Sequence, residues 1–356
     1  MNLRIPGPTP LPPEVQQALS QQMIGHRSQA CCDIVAEVTA DLQEMFGTGE
    51  DLFILTSSGT GAMEAAVVNF LSPGDEALVV AAGKFGERFG HIARAYGARV
   101  TQIDIPYGRP IPPEIVASAL ADNANFKAVF VTHNETSTGI TNDMRAIGEV
   151  VRDHPALLVV DSISGVSALP MRMDDWGLDV VASGSQKGWM IPPGLAFIAV
   201  NERGWAAHAE ATMPRFYFDL SAARKSAAKN TTPFTPAVGL LFALQAGLKL
   251  MREEGFDRVS ERHRRIGQYT REGVKKLGLR LFADEAHASN SVTAVRAPDG
   301  QDAEAIRARL LNEYDILLAG GQGELKGQIF RIGHLGWVYE KDIDEVLRAL
   351  GEVVGP

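Results

Sequence analysis

Seven short apolar runs divide the first two hundred residues, at 52–55, 77–81, 99–103, 128–132, 157–160, 180–183 and 196–200. Several of them, such as Leu157-Leu158-Val159-Val160, have no polar face. That is the pattern of strands buried on both sides of a parallel sheet. Stretches with helical spacing separate most of them, at 61–71, 86–96, 113–120 and 143–151. Strand–helix alternation of this length predicts an α/β layered domain with right-handed crossovers. Ligands of such sheets sit beyond the carboxyl ends of the strands. Those ends carry Ser57-Ser58, Ala82-Gly83, His133-Asn134, Asp161-Ser162 and Ser183-Gly184.

The flanks read differently. Residues 1–13 are rich in proline and lack periodicity, which predicts an extended arm of the kind that lies across a neighbouring subunit. A helical pattern opens at Pro12-Pro13-Glu14, and Gly25-His26-Arg27 interrupts it. Residues 29–46 then carry an apolar stripe, closed by Gly47. After Val200 a helix is expected at 202–211, a polar basic loop at 224–232, and helices at 237–254 and 260–277 on either side of Gly255. Short strands at 291–295, 316–318 and 329–332 alternate with helices at 303–311 and 343–353. The expected division is an N-terminal arm (1–21), a large domain (22–254) and a smaller α+β domain (255–356).

Composition narrows the class without naming the chemistry. The 356 residues are 45% hydrophobic and 22% charged, as in an ordinary soluble enzyme. A net charge of −9 argues against nucleic acid or an anionic membrane as the main partner. No leader and no membrane-length apolar run is expected. Cys31 and Cys32 are neighbours, too few for an iron–sulfur cluster or a thiolate zinc site. They read as reduced thiols of a cytoplasmic protein, and no metal site is expected.

Two strand ends carry complementary chemistry. Asp161 follows the run 157–160, and Lys187 lies on the turn Ser183-Gly184-Ser185-Gln186-Lys187-Gly188 after the run 180–183. A lysine can hold an aldehyde as a Schiff base, and a carboxylate can keep a pyridine nitrogen protonated. A third end, Ser57-Ser58-Gly59-Thr60-Gly61-Ala62, joins a strand to a helix, where glycines and free backbone N–H groups make an anion cup. A dinucleotide loop is the competing reading of that cup. It has Glu64 where close packing calls for glycine. Cup, carboxylate and lysine together are what pyridoxal 5'-phosphate (PLP) requires.

At these residues the sequence resembles a known family. SSGTGAMEAAVVNFLSPGD, the VDS at 160–162 and SGSQK at 183–187 are similar to the class V aminotransferases of PLP fold type I. Within that class the likeness is to the alanine–glyoxylate and serine–pyruvate aminotransferases. IPGPTPLPPEV, GHRS at 25–28 and FRIGHLG at 330–336 also fit, so the likeness runs nearly end to end. It implies a large domain with a mainly parallel seven-stranded sheet and a small α+β C-terminal domain. It also implies Lys187 as Schiff-base lysine and proton shuttle, and Asp161 as partner of the pyridine nitrogen. Thr60, Gly61 and Ala62 would cradle the phosphate with Gln186 beside them, and Phe85 would stack on the ring. Thr136 would approach the phenolic oxygen, and Arg331 would clamp the substrate carboxylate. Thr235 would reach the phosphate from the partner of a homodimer.

Three departures bear on specificity. Phe85 replaces the tryptophan of some relatives and lacks its N–H donor. Gln29-Ala30-Cys31-Cys32 stands where relatives have a proline and an aromatic, and Thr232 is nearest to a missing tyrosine. The expected reaction moves an amino group from alanine or serine to glyoxylate or pyruvate by ping-pong kinetics. The rivals are cysteine desulfuration, which needs a mobile thiolate that Cys31 and Cys32 are badly placed to supply, and a nicotinamide-dependent dehydrogenase, opposed by Glu64 and Lys187. His26, His133 and His334 are expected to be hydrogen-bonded rather than metal-bound, and Arg262, Arg264 and Arg265 to form a solvated helix face.

Overall fold

The computed structural model describes residues 1–355. All seven expected strands join one sheet, in the order Asp51–Ser57, Gly194–Val200, Val180–Gly184, Leu157–Asp161, Phe126–Thr132, Glu76–Ala81 and Arg99–Asp104. Only Gly194–Val200 runs antiparallel to its neighbours. The other pairings are parallel.

The two-residue period of the strands splits the core into two layers. Leu78, Val80, Leu158 and Val160 face one apolar layer, while Ala77, Val79, Leu157 and Val159 face the other. All eight are buried. Each such Val or Leu contributes about 1.5–3 kcal/mol, so the strands could not be moved to the surface without losing the domain.

Helix ends follow their capping chemistry. The Gln29–Phe46 helix starts at Ser28, whose side chain accepts from the Cys31 N–H at 3.4 Å. It stops at Gly47, which has φ +62° and no room for a Cβ beside the Arg172 backbone. Two helices begin earlier than their spacing predicts, at Gly59 and Lys84 instead of 61 and 86. The early turns take in polar residues that periodicity cannot detect. The stretch 224–232 is only partly a loop, because Leu220–Ala227 is helical. Asp219 caps it through the Ser221 N–H (2.9 Å), and buried Leu220 and Ala223 anchor it.

Beyond the break at Gly255 (φ +91°), a four-stranded sheet runs in the order Asn2–Arg4, Ile316–Gly320, Ile329–Gly333, Val292–Arg296. Its own apolar core includes Ile266, Ile306, Ile332 and Val346. The first residues of the N-terminal arm, Asn2–Arg4, pair in parallel with residues 316–318 of their own chain. Backbone pairing satisfies a strand without an apolar pattern, so composition gave no sign of it. Among the described residues no helix is long and apolar enough to cross a membrane.

Candidate active site

The lysine turn is held from beneath. Ser185 Oγ donates to the Pro192 carbonyl (2.7 Å) and accepts from the Leu195 N–H (3.1 Å). Trp189, fully buried against Phe46 and Phe197, donates to Ser183 Oγ at 3.1 Å. Lys187 is therefore rigidly placed and only 8% exposed. Its ammonium donates to the Pro6 carbonyl at 2.5 Å, and the Thr9 hydroxyl donates to the Lys187 carbonyl at 3.1 Å. The arm thus roofs the lysine. A Cβ on Gly7 would lie 2.7 Å from Lys187 Cδ, so only glycine lets the roof come this close.

Asp161 ends the strand next to the one that precedes the lysine, in register with Ala182. Its Oδ1 accepts from the Ile163 N–H at 2.9 Å, while Oδ2 makes no hydrogen bond to the described residues. Burial pushes the Asp161 carboxyl up to about 7, against the opposing pull of the Ile163 amide, Arg88 and Lys187. Burial also brings the Lys187 ammonium down to about 8, although Asp161 favours its charge. Both groups therefore sit near neutrality, which suits proton transfer.

The anion cup opens the Gly59–Val68 helix. Ser58 is the N-cap residue and makes no side-chain capping bond, so the first-turn N–H groups are open to a ligand. Gly61 N donates to the Ser58 carbonyl at 2.9 Å. Ala62 lies deeper in the helix, with its methyl in the core. A Cβ on Gly61 would fall 1.8 Å from Ser57 Oγ, and one on Gly59 would meet Ile163. Thr60 Oγ1 accepts from Arg88 Nη1 at 3.1 Å.

Sequence reasoning missed Glu135, which ties the remaining residues together. It is fully buried. Its Oε2 accepts from the N–H groups of Phe85 (2.9 Å) and Gly86 (3.1 Å), and its Oε1 from Ser137 N (3.0 Å) and Oγ (2.5 Å). The carboxylate thereby docks the N-terminus of the Lys84–Ala95 helix, and Phe85 with it, onto the turn that carries Thr136. Burial raises the pKa of Glu135 against those hydrogen bonds. Arg331 is 5% exposed and donates from Nη1 to the Thr136 carbonyl (2.8 Å) and from Nε to the Gly320 carbonyl (2.9 Å). Its Nη2 makes no hydrogen bond to the described residues. Burial lowers its pKa to about 10, with Glu135 opposing.

Two predicted residues stand apart. Gln186 is next to the lysine, but its Oε1 is buried without a partner. Thr235 is exposed, in a surface groove with Ile54, Thr56, Tyr217 and Phe234, and bonds to none of the site residues. His133 and His334 are buried and hydrogen-bonded, to Ser162 Oγ (2.9 Å) and Thr293 Oγ1 (2.8 Å). Arg262 departs from the solvated face expected of it and pairs with Glu254 (2.7 Å) and the Gly336 carbonyl (2.9 Å).

The residues fit a phosphorylated pyridine aldehyde. The cup has open amides, Asp161 has a free oxygen, and Lys187 has only a backbone acceptor. The free oxygen of Asp161, a carboxylate that a protonated ring nitrogen would complete, is the clearest sign.

Comparison with known proteins agrees. The model of the class-V aminotransferase family matches residues 2–328. The chain is 49% identical to a soluble hydrogenase small subunit from a Synechococcus species, over 99% of this chain and 92% of that protein. It is 37% identical to an L-aspartate–glyoxylate aminotransferase from Paracoccus denitrificans, over 93% and 85%. A crystal structure of an alanine–glyoxylate aminotransferase from Nostoc sp. superposes with a TM-score of 0.95 at 31% identity, covering 99% and 94% of the two chains.

Proposed function

The chain belongs to the class-V aminotransferases and is a PLP-dependent transaminase acting on a 2-oxo acid; from that premise we propose that its amino donor is a small amino acid, alanine or serine, and its acceptor glyoxylate or pyruvate. One observation carries the site assignment: Lys187 and Asp161 are buried at adjacent strand ends, each near neutrality, with the anion cup beside them.

PLP, when bound, supplies the aldehyde that takes the amino group and a ring that spreads the charge left at the substrate Cα. Lys187 Nζ, its pKa held low by burial, would take the Cα proton as a neutral amine and deliver it to the carbon that was the cofactor's aldehyde. Asp161 Oδ2 holds the proton of the ring nitrogen, and that cation in turn favours its carboxylate. The open amides of Ser58, Gly59 and Thr60, with the Thr60 hydroxyl and Gln186, hold the phosphate. In this reading the cradle begins slightly earlier than Gly61 and Ala62. Phe85 would hold the ring by stacking, and Thr136 would hold its phenolic oxygen. The free Nη2 of Arg331 binds the substrate carboxylate, and the Thr136 and Gly320 carbonyls fix the plane of the guanidinium. The Pro6-Gly7 roof closes over Lys187 and bounds the site on that side.

Thr235 acts in this reading from a partner copy across a homodimer, because its own chain leaves it exposed. The unjoined thiols of Cys31 and Cys32 suit the cytoplasm. The name of the Synechococcus relative points to hydrogen activation. Here the cysteines are adjacent, and among the described residues no three His, Cys, Asp or Glu gather to hold a metal.

The test is visible absorbance. Protein loaded with PLP is expected to be yellow and to bleach with L-alanine or L-serine alone, and a donor panel with glyoxylate then ranks substrates. Lys187→Ala is expected to abolish both colour and turnover. A colourless loaded protein, with Lys187→Ala unchanged in activity, would overturn the site.

A further inference from the structure

Arg88 lies on the helix that carries Phe85, one turn further along, and has no part in the mechanism above. Its guanidinium joins two walls of the site. Nη1 donates to Thr60 Oγ1 at 3.1 Å, and the guanidinium carbon sits 4.8 Å from the centre of the Phe85 ring. Guanidinium has only donors, so Thr60 Oγ1 must accept. The Thr60 O–H is then free to donate elsewhere, and the open amides of the cup lie beside it. The Arg88 charge also reaches the centre of the site. Asp161 is raised mainly by burial and Lys187 lowered mainly by burial, and Arg88 lowers both.

We propose that Arg88 is a positioning residue for the cofactor phosphate: it turns the Thr60 hydroxyl toward the anion and adds a positive charge beside the cup. The inference rests on the PLP reading of the site. It specifies where discrimination arises, namely at the phosphate rather than the ring.

The experiment compares PLP with pyridoxal, which has the same ring and aldehyde without the phosphate. Affinities are read from visible absorbance titrations of the cofactor-free protein, with folding checked by circular dichroism. Arg88→Gln is expected to weaken PLP about tenfold or more, the scale of one charge-assisted hydrogen bond, and pyridoxal by less than about threefold. Arg88→Lys restores the charge without the fork and is expected to recover part of the PLP affinity. Thr60→Val and Arg88→Gln together are expected to cost less than the sum of the two, because both remove one shared contact. Equal losses for PLP and pyridoxal, or additive losses in the double variant, would overturn the proposal while leaving the site intact. A wild-type protein that takes up no PLP would overturn the site reading and this inference together.

Discussion

Asp161 and Lys187 show what burial does to single charges. In the cofactor-free protein the folded Asp161 holds its proton up to about 7, against an ordinary value of 3.8. The folded state thus binds this proton more tightly than the unfolded chain does. Its contribution to stability is present below the ordinary value and is lost as pH rises through 7. Lys187 has the opposite arrangement. Its folded value, about 8, is below the ordinary 10.5, so stability returns as pH rises from 8 toward 10.5. Asp161→Asn should remove the first loss. The thermal midpoint of the cofactor-free variant should exceed that of wild type at pH 7, by on the order of 2 kcal/mol in stability, and the two should converge near pH 4. A constant offset across that range would mean that the carboxyl is not titrating as described.

At the scale of the element, the Lys84–Ala95 helix is positioned by a residue outside it. Four donors converge on Glu135, and an amide in its place would turn an NH2 group toward some of them. Glu135→Gln should cost about 2 kcal/mol or more, because buried donors lose a charged acceptor. It should also loosen Phe85, seen as weaker PLP retention and a shifted visible band. Chemical denaturation and absorbance check the two effects separately. Unchanged stability would show that the helix start is held by its own backbone. The same logic explains why the helix begins at Lys84: its first turn is fixed by a tertiary contact, not by an apolar stripe.

At the scale of the molecule, one chain leaves an aromatic cluster uncovered. Phe216 is 79% exposed, and the stacked rings of Tyr217 and Phe234 border the groove that holds Thr235. Exposed clusters of this kind mark interfaces. Light scattering should give about twice the 38.4 kDa chain mass for the wild type. Phe216→Asp should shift it toward one chain mass and lower PLP affinity about tenfold or more, as the partner's contribution to the phosphate disappears. A dimer of undiminished PLP affinity would remove this face, and Thr235 with it, from the proposal.

Much of the fold was legible because burial writes a period into the chain. The seven strand runs were found at nearly their observed places, since residues 157–160 and 180–183 can be apolar on both faces only inside a two-layered sheet. The order of Asp161 and Lys187 along the chain was legible too, because each closes such a run. Their adjacency was not: it depends on which strands pair, and pairing is settled by packing across the whole sheet. The roof of Pro6 and Gly7 over Lys187 also escaped, because a proline-rich arm pairs through its backbone and leaves no periodic trace. Glu135 and Arg88 looked like ordinary polar residues of a turn and a helix. Only the folded chain surrounds the first with four donors and sets the second against Thr60 and Phe85. Sequence alone determined the layers and the residues at the strand ends, because hydrophobic burial is local enough to leave a pattern. Tertiary structure decided which charges meet, because electrostatic and hydrogen-bond partners are chosen by proximity in space, across separations that no local spacing records.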